Sequence, residues 1–229
     1  MVDISTINTY NDFVDNLKKA GMTLGGANGE GVFTLCDYFG DNIAWHTMNI
    51  DTDPWEWRTR ILNEHQDIFY SKIFFKKSGY ITKEWYPYFY AVRRGATTLE
   101  DEYTAGNISY LAKNIYDYIA ENGTAPLHII KKHCNISKEN KTKFENAIVE
   151  LQMKMYITMC GQARKLNKYG AEYGWHAMSY CTVEEAYENV SEEAGELTKD
   201  SAYEAIEDQI YSLNPNAARE KVRKFILGH

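Results

Sequence analysis

The sequence has few features of a membrane, secreted or metal-binding protein. No apolar run approaches the roughly 20 residues that a membrane-spanning helix needs, and the first residues lack the basic-then-apolar pattern of a signal peptide. We therefore expect a cytoplasmic protein with no membrane partner. The cysteines are widely spaced and form no Cys-x-x-Cys pair, which predicts reduced thiols and no metal site; they are Cys36, Cys134, Cys160 and Cys181. The glycine-rich stretch TLGGANGEG lacks the Gly-Lys-Ser/Thr ending of a phosphate-binding loop, so we expect no cofactor.

Positive charge is also scarce. The chain has 25 Lys and Arg against 32 Asp and Glu, a net charge of −7. Because non-specific affinity for nucleic acid comes mostly from phosphate neutralisation, this balance excludes a chain that coats nucleic acid indiscriminately. From Leu111 to Trp175, however, ten Lys and Arg face six Asp and Glu, a net of +4, so the remainder sums to −11. The sequence therefore predicts a locally basic module on an acidic body.

The 229 residues are 44% hydrophobic, which is enough to build a sizeable core. We find no internal sequence repeat. The predicted fold class is α+β, mainly helical, with a winged helix-turn-helix domain between a helical N-terminal region and acidic C-terminal helices. We predict three segments, which are a mixed helical region (1–105), the winged helix-turn-helix (106–182) and an acidic helical segment (183–229). The acidic, turn-rich stretch TTLEDEYTAG supplies the first boundary.

The central segment, Ser109 to Thr182, has the pattern of three short helices followed by two strands. Apolar residues at steps of three and four predict a first helix that ends at Gly123. Thr124 and Ser137 are suited to begin the second and third helices. The third helix has one apolar stripe, consisting of Phe144, Ala147, Ile148, Leu151 and Met155.

The opposite face and leading turn of the third helix carry cations for phosphates and amides for base edges. These candidate DNA-binding residues are Lys138, Asn140, Lys141, Thr142 and Lys143. We predict strands over 155–159 and 173–180, joined by a loop over 161–169 that carries Arg164, Lys165 and Lys168 and acts as the wing. An alternative interpretation is a helix-plus-hairpin domain used only for packing or dimerisation.

Two further groups of residues are candidates. Arg93 and Arg94 end a predicted helix, where cations suit the helix dipole, and they are also candidates for phosphate contact beside the wing. Among the carboxylate and amide side chains, the sequence nominates Gln66 and Asp67 as weak catalytic candidates, with His65 and Glu84 nearby.

At ITKEWYPYFYAVRR, IYDYIAENG, FENAIVELQMKMYITMCG and YGWHAMSY the sequence resembles a bacterial group of winged-helix proteins related to the AlkZ-like DNA glycosylases, as a divergent member. The resemblance covers roughly residues 55–190. It implies tandem winged helices that form a DNA-binding surface, and a Gln-x-Asp or Gln-x-Gln motif that handles the attacking water. This chain has four glutamines, and none of them stands in either motif. Gln66 is followed directly by Asp67, without the intervening residue; the others are Gln152, Gln162 and Gln209.

The missing motif favours a non-catalytic winged-helix protein that binds double-stranded DNA. Two alternatives remain open. One is a DNA glycosylase acting on alkylated or cross-linked bases, and the other is a winged-helix module that binds another protein or forms a homodimer.

Overall fold

The computed structural model of the protein describes residues 2–228. Helices hold 47% of the residues and strands 19%, which confirms the predicted α+β, mainly helical class. The helices are α1 (Tyr10–Ala20), α2 (Pro54–Glu64), α3 (Tyr86–Arg93), α4 (Leu99–Thr104), α5 (Tyr110–Asn122), α6 (Leu127–His133), α7 (Lys141–Met153), α8 (Val183–Ala186), α9 (Val190–Gly195), α10 (Lys199–Leu213) and α11 (Arg219–Leu227). A 3-10 helix covers Leu35–Tyr38. The strands are β1 (Met22–Leu24), β2 (Ile68–Phe74), β3 (Lys77–Thr82), β4 (Ala125–Pro126), β5 (Ile157–Leu166) and β6 (Glu172–Thr182).

One order of elements occurs twice along the chain. In the first unit, residues 10–82, α1 and β1 precede the 3-10 helix, α2 and the hairpin β2–β3. In the second unit, residues 110–182, α5 and β4 precede α6, α7 and the hairpin β5–β6. Both sheets are antiparallel and place the third strand between the other two, in the orders β1-β3-β2 and β4-β6-β5. The sequence contains no recognisable repeat, so the duplication is seen only in the order of the elements and in the sheet topology.

The three helices of the second unit occur in the predicted order, although α6 begins at Leu127 and Thr124 does not cap it. Ser109 begins α5, where its Oγ accepts a hydrogen bond from the backbone N–H of Ala112 at 3.2 Å. All five residues of the stripe predicted for the third helix are buried. The predicted capping by Ser137 is wrong, because α7 begins at Lys141. The residues between form a turn in which the N–H of Asn140 bonds the carbonyl of Ser137.

The hairpin of the second unit is longer than predicted. Its strands extend over 157–166 and 172–182, so the connection covers only residues 167–171. Asn167 tightens this turn, because its Oδ1 accepts the N–H groups of Tyr169 at 2.8 Å and Ala171 at 3.1 Å. Arg164 and Lys165 therefore lie on a strand rather than in a loop.

The two units are joined by a buried amide. Gln152, near the end of α7, has no exposed surface. Its Oε1 accepts the backbone N–H of Lys72 in β2 at 2.9 Å, and its Nε2 donates to the carbonyl of Ile148 at 2.9 Å. A buried amide needs such partners, so this side chain fixes α7 against the first unit.

The C-terminal helices pack on the first unit. The ring of Phe225 in α11 stacks on Phe74 of β2, with centroids 3.8 Å apart. The buried hydrophobic residues form one continuous cluster from Ile7 to Ile226. The stretch predicted as the first segment boundary contains α4, which begins with a reciprocal cap between Thr98 and Asp101. The three predicted segments remain a prediction.

Glu30 connects a loop of the first unit to β3 and to α11. Its carboxylate lies 2.7 Å from the Nζ of Lys77 and 2.7 Å from the Nζ of Lys221. The hydrogen bond from Lys221, followed by that from Lys77, lowers the pKa of Glu30 to about 2.

Replacing Glu30 with glutamine is expected to lower the melting temperature at neutral pH and to make stability less sensitive to acid. A carboxyl whose folded-state pKa is lowered stabilises the protein above its unfolded pKa, and this contribution is lost as pH falls through the folded pKa. The difference between the wild type and Glu30→Gln should therefore be complete above a pH of 4.5 and vanish towards a pH of about 2. Melting curves across this range test it, with Glu188→Gln as the control. A difference that stays constant across the range would contradict the assignment.

Candidate nucleic-acid interface

Cations surround the start of α7. All five residues nominated there are exposed, namely Lys138, Asn140, Lys141, Thr142 and Lys143. Within residues 2–228, Lys138 and Lys143 make no ion pair. The Nζ of Lys141 lies 3.8 Å from a carboxylate oxygen of Glu145. An exposed pair at this distance contributes little to stability, so all three charges are open to a ligand.

The hairpin β5–β6 is basic along its exposed part. Arg164, Lys165 and Lys168 are all exposed. The Nε of Arg164 donates a hydrogen bond to the Nε2 of His176 at 3.1 Å. The only acidic residue between positions 157 and 182 is Glu172. The outer hairpin therefore presents a surface of predominantly positive charge.

A groove of about 790 Å³ lies between α6 and this hairpin. Lys131 and Lys132 line it from α6, and Arg164 and Lys165 line it from β5. Glu172 also lines the groove, so four cations face one carboxylate and the lining is positive overall. An anionic ligand would therefore be attracted to this groove.

His128 also lines the groove. Its Nδ1 is buried and has no hydrogen-bond partner among residues 2–228. Burial, followed by the charge of nearby Lys165, lowers the pKa of His128 below its ordinary value. The imidazole is therefore neutral at neutral pH and available for a hydrogen bond rather than an ion pair.

Glu145 joins the groove to the start of α7. Its carboxylate lies 3.8 Å from the Nζ of Lys131 in α6 and 3.8 Å from the Nζ of Lys141 in α7. The cations of α6 and α7 are therefore neighbours. No hydrogen bond or ion pair joins Lys138 or Lys143 to the hairpin in the part of the chain that the structure describes.

Arg93 and Arg94 are partly buried and bond to groups within the protein. The guanidinium of Arg93 donates to four backbone carbonyls, which belong to Ile73, Met153, Phe225 and Ile226. Arg94 is 8% exposed and pairs with the carboxylate of Glu184 at 2.6 Å. Both side chains hold parts of the fold together, so our proposed DNA surface does not include them.

The two catalytic candidates have different surroundings. Gln66 lines a cleft of about 480 Å³ together with His65 and Lys83. Asp67 does not line it; its carboxylate lies 2.7 Å from the Nζ of Lys18. Partial burial raises the pKa of Asp67, but the hydrogen bond and charge of Lys18 outweigh it, and the pKa is lowered overall. A carboxylate stabilised in this way is a weak general base.

Sequence reasoning missed the contribution of α6. Lys131, Lys132 and His128 were not nominated, because the apolar spacing of this helix indicates only which residues are buried. The signal that could have found them is the pair of lysines in its last turn, followed in sequence by the lysines of α7.

Two other kinds of site are absent from the described residues. None of the helices within residues 2–228 has both the length and the apolar character needed to cross a bilayer. In the same part of the chain, no three His, Cys, Asp or Glu side chains are grouped so that they could hold a metal ion.

Fold and site together define a mixed α+β protein with a duplicated topology and a basic, exposed surface on its second unit. The family model described as AlkZ related matches residues 7–227, so the chain belongs to the AlkZ-related family. This confirms the resemblance seen in the sequence and relates the protein to AlkZ-like DNA repair. No curated protein and no solved structure matches the chain.

Proposed function

We propose that this protein binds double-stranded DNA through its second unit, which acts as a winged helix-turn-helix. We also propose that the protein is not a glycosylase and cleaves no glycosidic bond. The proposal assigns α7 as the recognition helix and the hairpin β5–β6 as the wing. It is supported by the order of elements and by the antiparallel sheet in which β6 lies between β4 and β5. A helix that buries one stripe and exposes cations and amides is suited to the major groove.

The observation that carries the proposal is the concentration of exposed positive charge on α6, α7 and the hairpin of a chain whose net charge is −7. Structural stability gives no reason for an acidic protein to gather cations on one set of adjoining elements. Contact with a phosphate backbone does give a reason, because each phosphate neutralised by Lys or Arg releases a counterion. Membership of the AlkZ-related family supports the same ligand.

The non-catalytic part of the proposal is supported by the glutamines. None of the four lies in a Gln-x-Asp or Gln-x-Gln arrangement, and Asp67 pairs with Lys18 outside the cleft that Gln66 lines.

The proposal is tested by titrating a fluorescently labelled 20-base-pair duplex with the protein at several salt concentrations. If about six phosphates are neutralised, the logarithm of the association constant should fall linearly with the logarithm of the salt concentration, with a slope of about −5. Binding that is absent even at the lowest salt concentration would exclude the DNA interface and favour a protein partner. Mass measurement in the same buffers distinguishes a homodimer.

A further inference from the structure

The indole of Trp175 projects from the hairpin into solvent. It is 95% exposed, whereas Trp57 is completely buried and Trp45 and Trp55 are each 41% exposed. Tryptophan is highly buried on average in folded proteins, so an indole in full contact with water is unusual. It contributes nothing to the core of this protein.

Trp175 lies in a bulge of β6, on the outer part of the hairpin. Between the two flanking cross-strand pairs, one residue of β5 faces three residues of β6, and Trp175 is the middle one of the three. Gly174, at a φ of 76°, supplies the left-handed backbone conformation that this bulge requires. Arg164, the residue opposite, bonds His176 at 3.1 Å and braces the bulge. The flanking pairs are Ala163 with Ala177 and Lys165 with Tyr173. Bulges of this kind re-aim side chains near functional sites.

The surroundings of Trp175 indicate what its ring would contact. Tyr169 is 81% exposed and Tyr173 is 50% exposed on the same hairpin. The Nζ of Lys168 lies 4.8 Å from the centroid of the Tyr169 ring, and Lys165 pairs with Tyr173 across the two strands. Glu172 is the only acidic residue in the sequence of the hairpin. Exposed aromatic rings interleaved with cations are typical of surfaces that track a nucleic-acid backbone and stack on its bases. An acidic ligand without flat rings would use only the cations of this surface, and a purely apolar ligand would use only its aromatic rings.

We propose that Trp175 stacks on an unpaired nucleobase, so that the protein prefers duplex DNA containing an unpaired or displaced base to a continuous duplex. This inference rests on the proposed function. Inside a continuous duplex both faces of each base are covered by neighbouring bases. Away from the duplex ends, an indole finds a free face only where stacking is already interrupted. The bulge presents the ring, and the adjacent cations hold the backbone on either side of it.

The test compares two labelled duplexes of the same sequence, one continuous and one with a single extra unpaired thymine. The wild type should bind the second about 5 to 150 times more tightly, which corresponds to the range for stacking one base on one aromatic ring. Trp175→Ala should lose much more affinity for the unpaired-base duplex than for the continuous one, bringing the ratio close to one. Trp175→Phe should keep most of the preference.

Lys165→Ala serves as the matched control, because it removes charge beside the same bulge and should weaken both duplexes equally. Circular dichroism shows that each variant is folded. Binding without any preference in the wild type, or a preference that persists in Trp175→Ala, would overturn the stacking role while leaving the DNA interface intact. If the wild type binds neither duplex at low salt, the proposed function fails as well.

Discussion

Replacing Arg93 with alanine is expected to lower the free energy of unfolding by about 3 kcal/mol, because buried carbonyls left without a donor and a lost packed side chain both destabilise. The guanidinium donates to carbonyls that end β2, α7 and α11, elements from both units and from the C-terminal helices. No other single side chain could replace all four hydrogen bonds. For a chain of this length, that loss corresponds to a fall in melting temperature of roughly 10 °C.

Differential scanning calorimetry measures this effect, and two variants sharpen its interpretation. Arg93→Lys keeps the charge but offers a single ammonium in place of a planar fork, so its melting temperature should lie between those of the wild type and Arg93→Ala. Arg223→Ala removes an exposed arginine of α11 and should leave the melting temperature nearly unchanged. If Arg93→Ala melts like the wild type, the hydrogen bonds of Arg93 are not important for stability.

Removing three cations from the proposed interface is expected to weaken DNA binding and to change its salt dependence. We expect the triple variant Lys138→Ala, Lys141→Ala and Lys143→Ala to reduce the magnitude of the salt slope by about 2.7, because each phosphate contact contributes about 0.9. The triple variant Arg164→Ala, Lys165→Ala and Lys168→Ala should do the same from the hairpin. Affinity at low salt should fall on the order of 10-fold to 100-fold in each case.

A third triple variant controls for the change in total charge. Lys19, Lys199 and Arg223 are exposed and lie outside the second unit, and they make no ion pair within residues 2–228. Their joint replacement by alanine changes net charge by the same amount and should leave the salt slope near that of the wild type. Equal slopes for all three triple variants would mean that binding follows net charge and not the surface we propose. A change confined to the hairpin variant would remove α7 from the interface.

The sequence predicted the second unit well because its helices obey a local rule. The apolar stripe of α7 fixes which face is buried, and the same spacing leaves Lys141 and Lys143 outside. The length of the hairpin was underestimated, since pairing between strands continues through Arg164 and Lys165, which have the polar composition of a loop.

The first unit was harder to predict, because its elements do not stand out locally. In this unit a 3-10 helix takes the place that an α-helix has in the second unit. Its turn at Phe75 and Lys76 uses two left-handed residues that are not glycine, which no turn signal predicts. The placement of Arg93 depends on carbonyls up to 133 positions away, a relationship that spacing along the chain cannot contain.

The buried amide of Gln152 also affects how substitutions in this protein should be interpreted. It ties the C-terminal end of α7 to the backbone of Lys72, a residue 80 positions earlier in the chain. Helix α7 therefore does not reorient on its own, and its orientation is set in part by β2. If α7 binds DNA as we propose, a change to β2 would alter the angle at which the helix meets the DNA without touching it. Weakened binding by such a variant would report a misdirected helix rather than a missing contact.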